Sequence, residues 1–115
     1  WPSYLFPLLW VAPLLILVAL QVIFGQRSYF SDLTVGRWQL VYLPAFAALV
    51  CGFFWEMWNY HSYAKWIYHI PFAERLRIFE MPLLGYAGYL PFGLECAVIA
   101  NLLDRILRRP AQLIK

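Results

Sequence analysis

The stretch WQLVYLPAFAALVCGFFWEMW, residues 38–58, decides the fold, because no charged side chain occurs between Trp38 and Trp55. A helix rising about 1.5 Å per residue crosses the hydrocarbon of a bilayer in about 20 apolar residues. Residues 38–58 therefore predict a transmembrane helix. Upstream, Trp1 to Gln26 carries no charge and Tyr4 to Phe24 is almost wholly apolar, which predicts a span over about residues 3–24. Downstream, residues 81–103 are interrupted only by Glu95, which predicts another. The expected fold class is all-α: a single polytopic transmembrane domain over residues 1–115, with three membrane helices. The first segment lacks the basic leading region and short apolar core of a cleaved signal peptide, so it is expected to remain as a span.

Composition agrees. The 115-residue chain is 63% hydrophobic and 13% charged, against about 45–50% apolar and about 25% charged in soluble domains. One small core cannot hide that much apolar surface, which excludes a soluble globular enzyme. A net charge of +3 without a long basic run, together with two cysteines, excludes a nucleic-acid module and a disulfide scaffold.

Orientation follows from the basic residues of the short connections. Arg27 and Arg37 in the first loop share a side with Arg105, Arg108, Arg109 and Lys115 in the tail, while Lys65, Arg75 and Arg77 lie opposite. The expectation is an outer N-terminus and a basic cytoplasmic tail over residues 104–115, in a bacterial inner (cytoplasmic) or intracytoplasmic membrane. Between the second and third spans, residues 59–80 are rich in Tyr, Trp and Phe, the composition of a membrane–water boundary. After Pro71, Phe72, Leu76 and Phe79 recur at helical spacing, which predicts a short interfacial helix.

Ala48 and Gly52 share a face of the second helix at small-xxx-small spacing, and Gly85 and Gly88 supply small residues to the third. Small residues let backbones approach closely where lipid supplies no hydrophobic drive. The acids need separate accounts, since an ionisable group in a span is a functional hypothesis with a partner to name. Glu80 precedes Met81-Pro82 and suits a helix N-terminus. Glu56 ends the second span, where a negative charge is unfavourable and Lys65, Arg75, Arg77, His61 or His69 would compensate it. Glu95 must be neutral or paired, with Arg37 as one expected partner. The other is the Leu40 carbonyl, which Pro44 has no N–H to satisfy.

Glu56, His61, His69 and Glu80 have the donor types of a zinc or iron site but no ligand spacing, so no metal is expected. Cys51 and Cys96 differ in depth and read as small apolar residues. No cofactor is required; a lipid, quinone, carotenoid or chlorin would pack on aromatic surface without a ligand.

Trp55-Glu56-Met57-Trp58-Asn59, Lys65-Trp66-Ile67-Tyr68 and Phe79-Glu80-Met81-Pro82-Leu83-Leu84-Gly85-Tyr86, continuing through Gly88 to Glu95, resemble the C-terminal part of uncharacterised bacterial polytopic inner-membrane proteins. The resemblance covers about residues 38–103 and implies no activity. The aromatic element before a proline-containing acidic motif also resembles the membrane-embedded lycopene cyclase domain. That family has paired glutamates after its proline, whereas Leu83 and Leu84 follow Pro82 here.

The expected function is a non-catalytic accessory or structural subunit of a larger bacterial membrane complex, in a photosynthetic (reaction-centre or light-harvesting) or respiratory assembly. Its expected partners are other transmembrane subunits and lipids, with no nucleic acid. The alternative is a membrane-embedded enzyme on an isoprenoid or lipid substrate, with Glu56, Glu80 and Glu95 as acid/base groups.

Overall fold

The computed structural model describes residues 2–69 and 76–112. The chain is mostly helical. In order it forms α1 (Pro2–Ile23), a 3-10 helix (Tyr29–Val35), α2 (Gln39–Tyr60), two-residue strands β1 (Arg77–Ile78) and β2 (Met81–Pro82), the single turn α3 (Leu83–Tyr86) and α4 (Tyr89–Gln112). Two stretches, Gln39–Tyr60 and Leu83–Arg108, are helical, long and apolar enough to cross a membrane, and Pro7–Ile23 of α1 is a shorter apolar stretch.

The two principal packings are α2 on α4 and α1 on α4, so α4 is the central helix. Among the described residues the buried core is small: Leu14 of α1, Val98 of α4, Met81, Pro82 and Tyr86. Large apolar side chains point outward along every long helix, as with Leu9 (75% exposed) and Leu107 (72%). Such a surface is stable against lipid and costly against water, at about 25 cal/mol per Å² of apolar area.

Close approach of α2 and α4 is written into two glycines. A Cβ on Gly93 would overlap the Pro44 carbonyl oxygen and come within 2.8 Å of the Ala48 Cβ, and a Cβ on Gly52 would lie 2.6 Å from the Tyr89 ring. The α4 partner of Ala48 is thus Gly93. Gly85 and Gly88 lie elsewhere, at the break between α3 and α4, where Gly88 N–H donates to the Gly85 carbonyl at 3.0 Å. Pro91 contributes to that break. It has no N–H for the Ala87 carbonyl, which Leu90 takes instead at 3.3 Å.

The connection from Gly25 to Trp38 is built by local capping. Ser28 Oγ accepts from Phe30 N–H, and Gly36 ends the 3-10 helix at φ 82, a left-handed conformation that glycine adopts without a Cβ penalty. Asp32 pairs with both Arg27 and Arg37, the latter at 3.0 Å. The guanidinium of Arg27, then that of Arg37, holds its carboxyl below the usual carboxylate range.

The expected interfacial helix falls partly on residues 70–75, outside the described residues. Over 76–82 the chain is a hairpin, with Arg77 opposite Pro82 and Ile78 opposite Met81. Phe79 takes φ 57 at its turn, and Tyr86 OH donates to the Ile78 carbonyl at 3.2 Å. For the described part of that repeat, hairpin pairing takes the place of a helical turn that would have to repay its own nucleation. Here Phe79 lies instead against Phe53 and Tyr60 of α2, with ring centroids 5.4 and 5.8 Å away.

Candidate functional site

The densest polar cluster sits where α2 ends. Glu56 is fully buried. Its Oε1 accepts from Tyr68 OH at 2.9 Å and from Tyr89 OH at 2.8 Å, while Asn59 Nδ2 approaches Oε2 at 3.5 Å. One helical turn separates Gly52 from Glu56. The Tyr89 ring therefore lies on the bare backbone of Gly52 while its hydroxyl reaches the carboxyl group.

Asn59, also buried, acts as a backbone clamp. Its Oδ1 accepts from Trp66 N–H at 2.7 Å and its Nδ2 donates to the Trp66 carbonyl at 3.0 Å. The loop leaving α2 is thereby folded back onto the helix end, which brings Tyr68 to Glu56. Burial, followed by the bond to Glu56, pushes the Tyr68 phenol well above its ordinary pKa. The hydroxyl accordingly stays protonated and donating across the physiological range.

Around this knot Lys65, Glu80 and Arg77 are satisfied locally. Lys65 Nζ pairs with Glu80 Oε1 at 2.5 Å and lies 5.1 Å from the centre of the Tyr60 ring. Its bond to Glu80 raises its pKa. Arg77 donates to the Tyr68 carbonyl at 3.3 Å. Glu80 lies in the hairpin turn, so the residue that caps α3 is Pro82. Of the cations expected to compensate Glu56, Lys65 and Arg77 are bound elsewhere and Arg75 lies outside the described residues, while the bonds to Glu56 come from two phenols and Asn59.

Glu95 and Arg37 are not brought together. Arg37 pairs with Asp32, and the Leu40 carbonyl accepts from Tyr29 OH at 3.0 Å. Tyr29 fills the vacancy that Pro44 leaves on α2. Glu95 is half-buried on α4, midway along Leu83–Arg108. Near the other end of the bundle, Gln21 Nε2 and Asn101 Oδ1 are buried and, among the described residues, have no hydrogen-bond partner.

Among the described residues no three His, Cys, Asp or Glu side chains converge as a metal-ligand set. Cys51 and Cys96 are free and exposed. An open notch is lined by Trp55, Trp58, Asn59, Ser62, Ala64 and Trp66. A general base must come within about 2.6–3.2 Å of the proton it removes. Glu56 has no solvent-facing surface and its Oε1 already accepts two bonds, so the cluster is suited to fastening α2, the loop and α4 together.

The sequence reading missed Tyr68 and the clamp on Trp66. The signal for Tyr89 was present: a residue without a side chain four positions before an acid, facing a helix that begins with tyrosine. The chain matches no family model, no curated protein and no solved structure, and no match bears on either family resemblance.

Proposed function

We propose that the chain is a non-catalytic structural subunit of a larger bacterial membrane assembly. The carrying observation is that its three candidate acids are differently engaged. Glu56 is sealed beneath two phenols, Glu80 is paired with Lys65, and Glu95 lies midway along the last span. Carboxylate acid/base catalysis needs groups that converge on one substrate. The small core and outward apolar side chains further support a chain completed by lipid and neighbouring helices.

In this reading α1 is a third span, since its 22 residues reach about 33 Å at a rise of about 1.5 Å per residue. The Asp32 clamp and the Arg105–Arg27 contact then lie on the cytoplasmic side, and the Glu56 knot lies at the outer boundary. Photosynthetic and respiratory membranes are the first places to seek the assembly.

The test is purification from native membranes in mild detergent. The chain should travel with other transmembrane polypeptides in fixed ratio, and Glu56→Gln should change assembly yield without abolishing formation of any single product. A chain that turns over an isoprenoid or lipid when pure, and loses that turnover in Glu56→Gln or Glu80→Gln, contradicts it.

A further inference from the structure

Glu95 is the acid that the chain leaves unanswered. It lies midway along a helix apolar enough to cross a membrane, and among the described residues it has no hydrogen-bond or ion-pair partner. Neither intramolecular partner anticipated for it is bonded to it: Arg37 pairs with Asp32, and the Leu40 carbonyl accepts from Tyr29. The remaining described Lys and Arg side chains are engaged too. Arg27 binds Asp32, Lys65 binds Glu80, Arg77 binds the Tyr68 carbonyl, Arg105 the Arg27 carbonyl and Arg108 Asp104.

Its place on α4 is equally informative. Gly93 faces α2, Val98 is fully buried, and Phe92, Cys96 and Ile99 are exposed. At about 100° per residue, Glu95 falls between the packed face and the exposed stripe. A carboxyl group at that border can meet a helix laid against the exposed face. An acid that stays ionised within a span is costly in hydrocarbon and is answered by a cationic side chain.

We propose that Glu95 docks a transmembrane helix of a different subunit, one that presents a cationic side chain at the same depth; this rests on the assembly reading above. A second copy does not meet the requirement. No Lys or Arg occurs from Trp1 to Gln26, from Trp38 to Tyr60 or from Met81 to Leu103, so a copy of this chain has no cation to offer at mid-depth.

The experiment compares wild type, Glu95→Asp and Glu95→Leu, each expressed as the full chain in its native membrane and purified in mild detergent. Wild type should recover its partner subunit in fixed ratio. Glu95→Leu should recover less by more than about tenfold, the scale of breaking one half of a buried pair, while Glu95→Asp retains part. Wild-type recovery in Glu95→Leu overturns the docking and leaves the assembly reading intact. A wild-type chain that purifies without other subunits overturns both.

Should Glu95→Leu fail to accumulate, a Cys51→Ala chain labelled at exposed Cys96 with a benzophenone maleimide decides the matter. Irradiation in native membranes should yield an adduct on another polypeptide, within an apolar stretch of about 20 residues that contains Lys, Arg or His. An adduct on a segment without a basic residue, or on this chain alone, overturns the proposal.

Discussion

The hydroxyl of Tyr89 donates to Oε1 of Glu56 across 2.8 Å, joining the first turn of α4 to the last turns of α2. Tyr68 reaches the same oxygen from the loop. One acceptor therefore holds three segments, and removal of either donor weakens a buried polar group rather than an exposed one. Tyr89→Phe is predicted to destabilise the chain by about 1–3 kcal/mol, the range for a buried polar group that loses its partner. Thermal unfolding in detergent micelles measures it. A midpoint equal to that of wild type contradicts the role given to the bond.

Glycine substitutions should separate by what lies opposite them. At Gly93 the obstacle is the backbone of Pro44, at Gly52 it is the Tyr89 ring, and at Gly88 a Cβ would meet only the Gly85 carbonyl, at 3.2 Å. Gly93→Ala is expected to cost most, because the α2 backbone cannot turn aside, and overpacking of this kind costs about 1–3 kcal/mol. Gly52→Ala should displace the Tyr89 ring and lose much of its effect in a Tyr89→Ala background. Gly88→Ala should be mildest. An equal loss at all three positions would show that small-residue content alone, rather than helix contact, sets the cost.

Asn59→Ala removes both bonds to the Trp66 backbone and should release the loop while leaving α2 helical. Hydrogen exchange over residues 62–68 is predicted to accelerate, with little change over residues 45–55. Uniform acceleration across α2 would mean that Asn59 supports the helix rather than the loop.

The two ends of the bundle should respond to opposite ends of the pH scale. Tyr68 and Lys65 have raised pKa values, Tyr68 chiefly by burial and Lys65 by its bond to Glu80. Their stabilisation is complete below their ordinary values near 10 and is lost as pH climbs through the raised ones. Asp32 is lowered by Arg27, so its stabilisation is complete above the ordinary carboxylate pKa and is lost as pH falls through the lowered value. Melting profiles should fall more steeply above pH 10 for wild type than for Tyr68→Phe. In acid they should fall more steeply for wild type than for Asp32→Asn. Parallel curves at either extreme contradict the corresponding assignment.

The second and third apolar stretches were legible because charge-free runs of about 20 residues admit few structures. Pro44 also announced a freed carbonyl, but the donor proved to be Tyr29, set by the folding of a loop that leaves no periodic trace. The hairpin over 76–82 was hidden because a helical repeat of three apolar residues resembles a chance spacing. Gly93 was overlooked since its partner Pro44 precedes the Ala48–Gly52 pair. The acids were visible as residues but not as partners: Tyr68 and Tyr89 lie 12 and 33 positions from Glu56, and only tertiary folding unites them.

The central claim is that this chain completes itself through other membrane subunits. Native mass measurement of the particle extracted from its own membrane tests that most directly. The account predicts a heteromeric particle of fixed composition, much heavier than the 13.6 kDa chain. A monodisperse particle containing only this chain and lipid would contradict it.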